Sequence, residues 1–353
     1  MEWYGLRTAG VKDRVIRILL KNFENYRDIF EIDKTFLLNR LDIEQEQVDK
    51  IYSSRNIDSS EEFKKMEEHG VKLLFIKDEA YPDELKHIAQ PPVFLYYKGN
   101  IELLKKRKIG IIGTRKATSY GKASCEKIVK GLVENGIATV SGLARGIDGV
   151  CHKVTLNNSG HTIAVVGCGL DVIYPKSNEK LWNRVAENGL IISEFPFGTQ
   201  PLSFNFPLRN RIIAGISRGV VVVESYERGG SLITAELALD EGRDVFAVPG
   251  DLFSPCSEGT NNLIKNSLAK LVTNAEDILV EYGWENAEST PTKKLNLTER
   301  ENKIYNVLVR EKNLDEIMHE TSMKPGEILS LLMELEVKGV ISSVPGGKYR
   351  RKV

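Results

Sequence analysis

The stretch "NFPLRNRIIAGIS", residues 205–217, sets two forked cations, Arg209 and Arg211, around Asn210 at the opening of an apolar helical run. A helix buried against a sheet keeps charge off its inner face, so these guanidinium groups need either an anion to hold or carboxylates elsewhere in the fold. Three glycine-bearing segments carry related chemistry. "GTRKATSYG" (113–121) joins Gly113 and Thr114 to Arg115, and "SGLARGID" (141–148) joins Ser141, Gly142 and Gly146 to Arg145. "SYERGGSLITAELA" (225–238) places Gly229 and Gly230 ahead of Ser231 at a helix start. Open backbone N–H groups at a helix N-terminus favour an anion, and arginine forks match phosphate oxygens. One such loop alone reads equally well as punctuation before a helix. Three of them converging with Arg209, Asn210 and Arg211 would make a phosphate site.

The kind of phosphate is narrowed by what the loops lack. No G-x-G-x-x-G follows the first core strand, and the second ends in "VSG" with no acid for a ribose hydroxyl. The pairs Gly121-Lys122 and Gly347-Lys348 are followed by Ala and Tyr, so neither is a P-loop. The best catalytic-looking pairs are Ser193 with Glu194, and Asp148 with His152. The latter two stand four apart, which reads as a helix-stabilising pair because no third partner is in view. Cys125, Cys151, Cys168 and Cys256 are scattered without a C-x-x-C pair, which argues for reduced thiols and against zinc. No cofactor or metal is expected.

A single polynucleotide strand fits better, since it needs a track of local cations with aromatic faces beside it. Lys176 and Lys180 in "YPKSNEKLW" extend the charge, and Tyr174, Phe195, Phe197, Phe204 and Phe206 lie in the same neighbourhoods. At most one or two of these rings are expected to touch a base, with most of them core.

The elements that must position these loops are legible as alternation. Short apolar runs at 72–76, 108–113, 138–142, 161–167, 190–195, 220–224 and 244–250 are separated by amphipathic segments such as 119–136, 178–189 and 231–242. That pattern predicts an α/β fold with a parallel sheet covered on both faces, whose ligands bind beyond the strands' carboxyl ends. Residues 1–65 read as short helices, 66–283 as the α/β domain and 284–296 as a polar linker. Residues 297–353 read as three helices and a hairpin turning at Gly346-Gly347, a winged-helix pattern.

Bulk composition by itself weighs mildly against a nucleic-acid binder. The net charge is zero; residues 1–65 hold 12 Lys/Arg against 13 Asp/Glu and residues 296–353 hold 10 against 9. With no basic domain, a nucleic-acid binder has to gather its cations locally. No apolar run reaches the length of a membrane span and the opening residues lack a signal-peptide core, so a cytoplasmic protein without a membrane partner is expected.

The ordered segments "IGIIGTRKATSYG", "VSGLARGIDGVCH", "HTIAVVGCGLDVIYP", "ISEFP", "FPLRNRIIAGIS", "GGSLITAELAL" and "VFAVPG" resemble the DNA-processing protein A (DprA/Smf) family, over roughly residues 70 to 270. The resemblance implies an extended Rossmann-like, doubly wound and mostly parallel sheet, flanked by an N-terminal helical (SAM-like) domain and a C-terminal winged helix. It implies a bacterial cytosolic homodimer that binds single-stranded DNA, protects it and loads the RecA recombinase onto it during natural transformation, with no catalytic activity of its own. Arg115 matches the family's phosphate-binding arginine. Gly113, Thr114, Ser141, Gly142 and Arg145 would line the pocket, with Lys180, Arg209 and Arg211 as further contacts. Thr114, Cys151, Gly229 and the pair Asn266-Ser267 depart from the usual family residues, and the first three keep the side chain small. The competing reading is an enzyme: "ERGGSLITAELA" also resembles a segment of lysine-decarboxylase-like nucleotide phosphoribohydrolases, in which Glu236 would act with a nearby arginine.

Overall fold

The computed structural model describes residues 2–284, 297–344 and 346–351. They form two compact units on either side of residues 285–296. The linker expected at 284–296 therefore lies, after Trp284, outside the described residues.

The larger unit is built on a nine-stranded sheet in the order β1-β2-β6-β5-β4-β3-β7-β8-β9. The strands are β1 (Lys72–Phe75), β2 (Phe94–Gly99), β3 (Lys108–Ile112), β4 (Ala138–Ser141), β5 (Thr162–Val166), β6 (Leu190–Ser193), β7 (Gly219–Val222), β8 (Asp244–Ala247) and β9 (Lys270–Leu271). From β6 to β9 every pairing is parallel. β2 runs antiparallel to both β1 and β6. Neither β2 nor β9 is expected from the sequence alternation. β2 follows two prolines and adds to the sheet edge outside the alternating series, and β9 is only two residues long.

The chain winds outward from β3 through β4, β5 and β6, then returns to place β7 on the other side of β3. That reversal is the topological switch point, so the crevice beyond the carboxyl ends of β3 and β7 is where a ligand is expected. Buried strands explain the nearly continuous apolar runs: Ile109 and Ile111 of β3 pack on one face and Ile112 on the other. Each such side chain, fully removed from water, contributes about 1.5–3 kcal/mol.

Short helices α1 (Tyr4–Thr8), α2 (Asp13–Asn22), α3 (Lys34–Asn39), α4 (Gln45–Ser54) and α5 (Ser60–Glu68) precede the sheet, and α6 (Asp83–Lys86) lies between β1 and β2. The N-terminal helices, read from sequence as a domain of residues 1–65, share one apolar core with β2 and β6 and belong to the same compact unit as the sheet. Tyr4 and Tyr96 join their hydroxyls at 2.9 Å inside it.

The crossover helices are α7 (Ser119–Glu134), α8 (Ile147–Asn157), α9 (Glu179–Asn188), α10 (Asn205–Ile216), α11 (Gly230–Asp240), α12 (Glu258–Lys265) and α13 (Glu276–Tyr282). α10 and α11 cover one sheet face; α7, α8 and α13 cover the other.

The second unit holds α14 (Glu299–Val307), α15 (Leu314–Thr321) and α16 (Pro325–Val337), with a three-stranded sheet β10 (Lys312–Asn313), β12 (Lys348–Arg351), β11 (Ile341–Val344). Capping boxes at Thr298 and Asn313 start α14 and α15, each satisfying two otherwise orphaned N–H groups. The expected hairpin is β11–β12, and β10 is an additional strand that pairs with β12.

Candidate nucleic-acid interface

The three glycine loops do converge at the carboxyl ends of β3, β4 and β7, and side-chain bonds between them fix their spacing. Thr118 caps α7 by accepting from the Gly121 N–H at 3.1 Å. The buried Glu224 carboxylate, just past β7, accepts from the Thr118 N–H at 2.9 Å, and its carbonyl accepts from the Thr114 N–H at 2.8 Å. The β4–α8 loop presses on the β3–α7 loop at Gly146. Its φ is +77°, and a Cβ there would lie 2.1 Å from the Thr114 carbonyl oxygen, so only glycine fits. Asp148, buried in the first turn of α8, accepts from the Gly142 and Ala144 N–H groups at 3.2 and 3.4 Å.

Beneath these loops runs Arg209. It is 4% exposed, donates from Nη1 to the Gly142 carbonyl at 2.8 Å and to the Val165 carbonyl, and from Nε to Asn210 Oδ1 at 3.1 Å. Burial pulls its pKa down to about 10, which still leaves it cationic at neutral pH. Burial pushes the Asp148 carboxyl up, opposed by the Arg209 charge and the amide bonds it accepts.

Two adjoining clefts open above this floor, of about 830 and 530 Å³. Both are lined by Arg115, Lys116, Ala144, Tyr174, Phe206 and Arg209. Of the sequence-predicted residues, Gly113, Thr114, Asn210, Gly230 and Ser231 line the larger cleft, and Gly142, Arg145 and Lys176 the smaller. The first turn of α11 opens onto the larger cleft at Gly230, where a side chain would meet open space. Arg115, Lys116, Arg145 and Lys176 are exposed, and no carboxylate lies within 4 Å of them among the described residues. The Arg115 guanidinium sits 5.2 Å from the Phe206 ring centre, and Phe206 lies 5.6 Å from Tyr174. The lip of the cleft is thus an aromatic pair with a cation held over it.

Four expected site residues lie elsewhere. Ser141 is fully buried and donates to the Ile111 carbonyl at 2.6 Å. Gly146 packs against the Thr114 carbonyl, as above. Lys180 is exposed in the first turn of α9 but lines neither cleft. Arg211 points away from the clefts to an ion pair with Glu194, both largely buried. The physical reason is helix geometry: residues two apart on α10 face different neighbours, so Arg209 reaches under the strand ends and Arg211 does not.

One pairing expected from spacing is corrected. Asp148 and His152 form no pair, since Asp148 holds loop amides and His152 Nδ1 lies 2.7 Å from Thr162 Oγ1. Burial pulls His152 down to about 3. Ser193 donates to the Cys168 carbonyl at 2.7 Å and so has no base. Burial pushes the Cys168 thiol up to about 11, an inert group. Among the described residues no cluster of His, Cys, Asp and Glu could hold a metal. Glu236, the acid of the enzyme reading, is exposed on α11 and lines neither cleft.

Of the aromatic candidates, Tyr174 and Phe206 line the clefts, Phe204 is exposed, and Phe197 packs on His69. Lys116, outside the expected set, lines both clefts; its signal in the sequence is adjacency to Arg115 on the same loop.

The chain is similar to proteins of one family. A profile described as "DNA recombination-mediator protein A" matches residues 72–283, and one described as "DprA winged helix domain" matches residues 288–347. The chain is 43% identical over 287 residues to DNA processing protein DprA of Streptococcus pneumoniae, covering 80% of this chain and 97% of that one. It is 45% identical over 224 residues to DprA of Bacillus subtilis, covering 63% and 75%. The solved S. pneumoniae DprA superposes with a TM-score of 0.72 at 41% identity, covering 80% of this chain and 98% of that chain. A structure of DNA processing protein A from Helicobacter pylori, whose subject is its single-stranded DNA binding mode, superposes with a TM-score of 0.55 at 32% identity, covering 60% and 95%.

Proposed function

This chain belongs to the DNA recombination-mediator protein A (DprA/Smf) family, and on that premise we propose that it binds single-stranded DNA at the paired clefts, without sequence preference and without chemistry of its own. The observation that carries the reading is the set of four exposed cations, Arg115, Lys116, Arg145 and Lys176, left without carboxylate partners among the described residues around a buried fifth, Arg209. Phosphates enter between Arg115, Lys116 and the first turn of α11, and bases meet Tyr174 and Phe206. Lys176 and, beyond the clefts, Lys180 continue the track onto α9. The H. pylori relative's single-stranded DNA binding supports the same ligand here.

In the cell the protein acts as a cytoplasmic homodimer that protects incoming DNA and loads the RecA recombinase during natural transformation; the family's description as recombination mediators supports this role. Loading requires that the strand be held by its backbone, leaving base edges free for pairing, which suits a phosphate-directed site.

The test is an anisotropy titration of labelled poly-dT with duplex of equal length as competitor, repeated across salt. Tight, salt-sensitive binding that duplex fails to displace supports the reading; equal affinity for duplex, or none for poly-dT, overturns it.

A further inference from the structure

The opposite edge of the sheet carries a second row of cations that the clefts do not use. Arg107, Arg218 and Arg243 stand immediately before β3, β7 and β8, three neighbouring strands. The register pairs Ile109 with Gly219 and Gly219 with Asp244, and the Arg218 N–H donates to the Lys108 carbonyl at 3.0 Å. Arg218 is thus level with Arg243 and with Lys108, and Arg107 lies one residue further out, on strands whose backbones run about 4.8 Å apart. Lys106 joins them in the turn before β3.

These residues line a cavity of about 260 Å³ together with Trp284. The one carboxylate lining it, Glu84, is held by Lys108 at 2.8 Å, and that lysine is almost fully buried. Asp244 nearby accepts from the Tyr282 hydroxyl at 2.8 Å. Lys106, Arg107, Arg218 and Arg243 have no carboxylate within 4 Å among the described residues. Arg243 gives Nη2 to the carbonyls of Glu84 and Gly215 at 3.0 and 3.1 Å, while its Nε is buried with no partner. The other two guanidinium groups are propped on rings: Arg107 is 5.5 Å from the Trp284 centre and Arg218 is 5.4 Å from the Tyr282 centre. Those rings lie 4.6 Å apart. Stacking holds each fork flat and leaves its edge N–H groups free for an oxygen.

In a chain of net charge zero, four like charges gathered without counter-charge repel one another and favour a bound anion. The volume lies below the usual range for cofactor pockets, so it suits one phosphate group rather than a dinucleotide. We propose that the amino ends of β3, β7 and β8 form a second phosphate-binding site, taking a phosphodiester of single-stranded DNA beside the Arg107–Trp284 stack. This site is independent of the clefts at the carboxyl ends, and neither needs the other to be correct.

The experiment compares the full chain with Arg107→Gln/Arg218→Gln, which keeps polar side chains of moderate length and removes both charges; a matching thermal midpoint establishes that the variant folds. Three titrants are used: long oligo-dT, thymidine monophosphate and inorganic phosphate, each followed by indole fluorescence, with Trp284→Phe identifying the responding ring. The variant is expected to bind oligo-dT several-fold more weakly, with a log–log salt slope shallower by about 1.4 for two lost single-strand contacts. Quenching of Trp284 by oligo-dT, lost in the variant, supports the phosphodiester assignment. Quenching by thymidine monophosphate or phosphate alone, with an unchanged oligo-dT slope, overturns the polynucleotide ligand in favour of a free phosphate site. No variant-dependent change with any titrant overturns the site altogether and leaves a row of solvated cations. Retesting on an Arg115→Ala background separates this outcome from failure of the cleft assignment, because that substitution leaves the Trp284 response intact.

Discussion

Arg209 Nη1 donates to the Gly142 carbonyl at 2.8 Å, from beneath the loop whose outer surface lines the smaller cleft. The same side chain serves as loop anchor and as the charged floor of the site. Its sequence neighbour two positions on, Arg211, is spent on Glu194. The two arginines are therefore separable by experiment.

Arg115→Ala removes an exposed cation over Phe206 and should leave the fold intact. Loss of one charge-assisted phosphate contact is worth about 1.5–3 kcal/mol, or roughly ten- to a hundredfold in affinity for poly-dT. The salt slope should become shallower by about 0.7. Unchanged affinity in the anisotropy titration would remove Arg115 from the site.

Arg211→Ala should act on stability and leave DNA binding alone. It strands the Glu194 carboxylate, which burial already pushes above its ordinary range, at a cost of about 3–5 kcal/mol. Combining it with Glu194→Leu should recover much of that loss. Chemical denaturation measures both, and poly-dT affinity measured well below the melting point should match wild type.

Gly146→Ala should damage both properties together. The new methyl group would meet the Thr114 carbonyl at 2.1 Å while the backbone is held at φ +77°, and the strained backbone alone costs about 1–3 kcal/mol. The thermal midpoint should fall, and poly-dT binding should weaken because the β3–α7 and β4–α8 loops are pushed apart.

Acid should destabilise the fold through His152. The native imidazole is held neutral to about pH 3 by burial, whereas an unfolded histidine protonates near its ordinary value. Between about pH 6.5 and 3 the unfolded chain binds the extra proton, so this contribution to stability is present above the upper value. It is lost as pH falls, by about 1.4 kcal/mol per pH unit. His152→Gln should flatten that dependence in denaturant melts taken at pH 7, 6 and 5; an identical slope would place the proton uptake elsewhere.

Much of this site was legible before folding, and the reason is locality. The three loops announced themselves because glycines, a helix start and an arginine sit within one short segment each, beside an apolar run. What they left open was which cations face the ligand. Arg209 and Arg211 look alike in sequence, and their partners lie far along the chain: Glu194 is 17 residues from Arg211, and the Gly142 carbonyl 67 from Arg209. Asp148 and His152 misled for the same reason. Their four-residue spacing suggests a pair, but contacts with the loop amides and with Thr162 direct each side chain elsewhere.

The sequence by itself determined the alternation of apolar strands with amphipathic helices, the parallel central sheet, the cation-bearing loops at one end of it and the hairpin near the C-terminus. Each of these follows from side-chain periodicity or backbone freedom within a dozen residues. Only the tertiary structure decided the antiparallel β2 edge, the switch point between β3 and β7, and the meeting of Arg107, Arg218 and Arg243 before three adjacent strands. Those depend on strand order, which brings residues more than a hundred positions apart to neighbouring places in the sheet, and no local pattern encodes it.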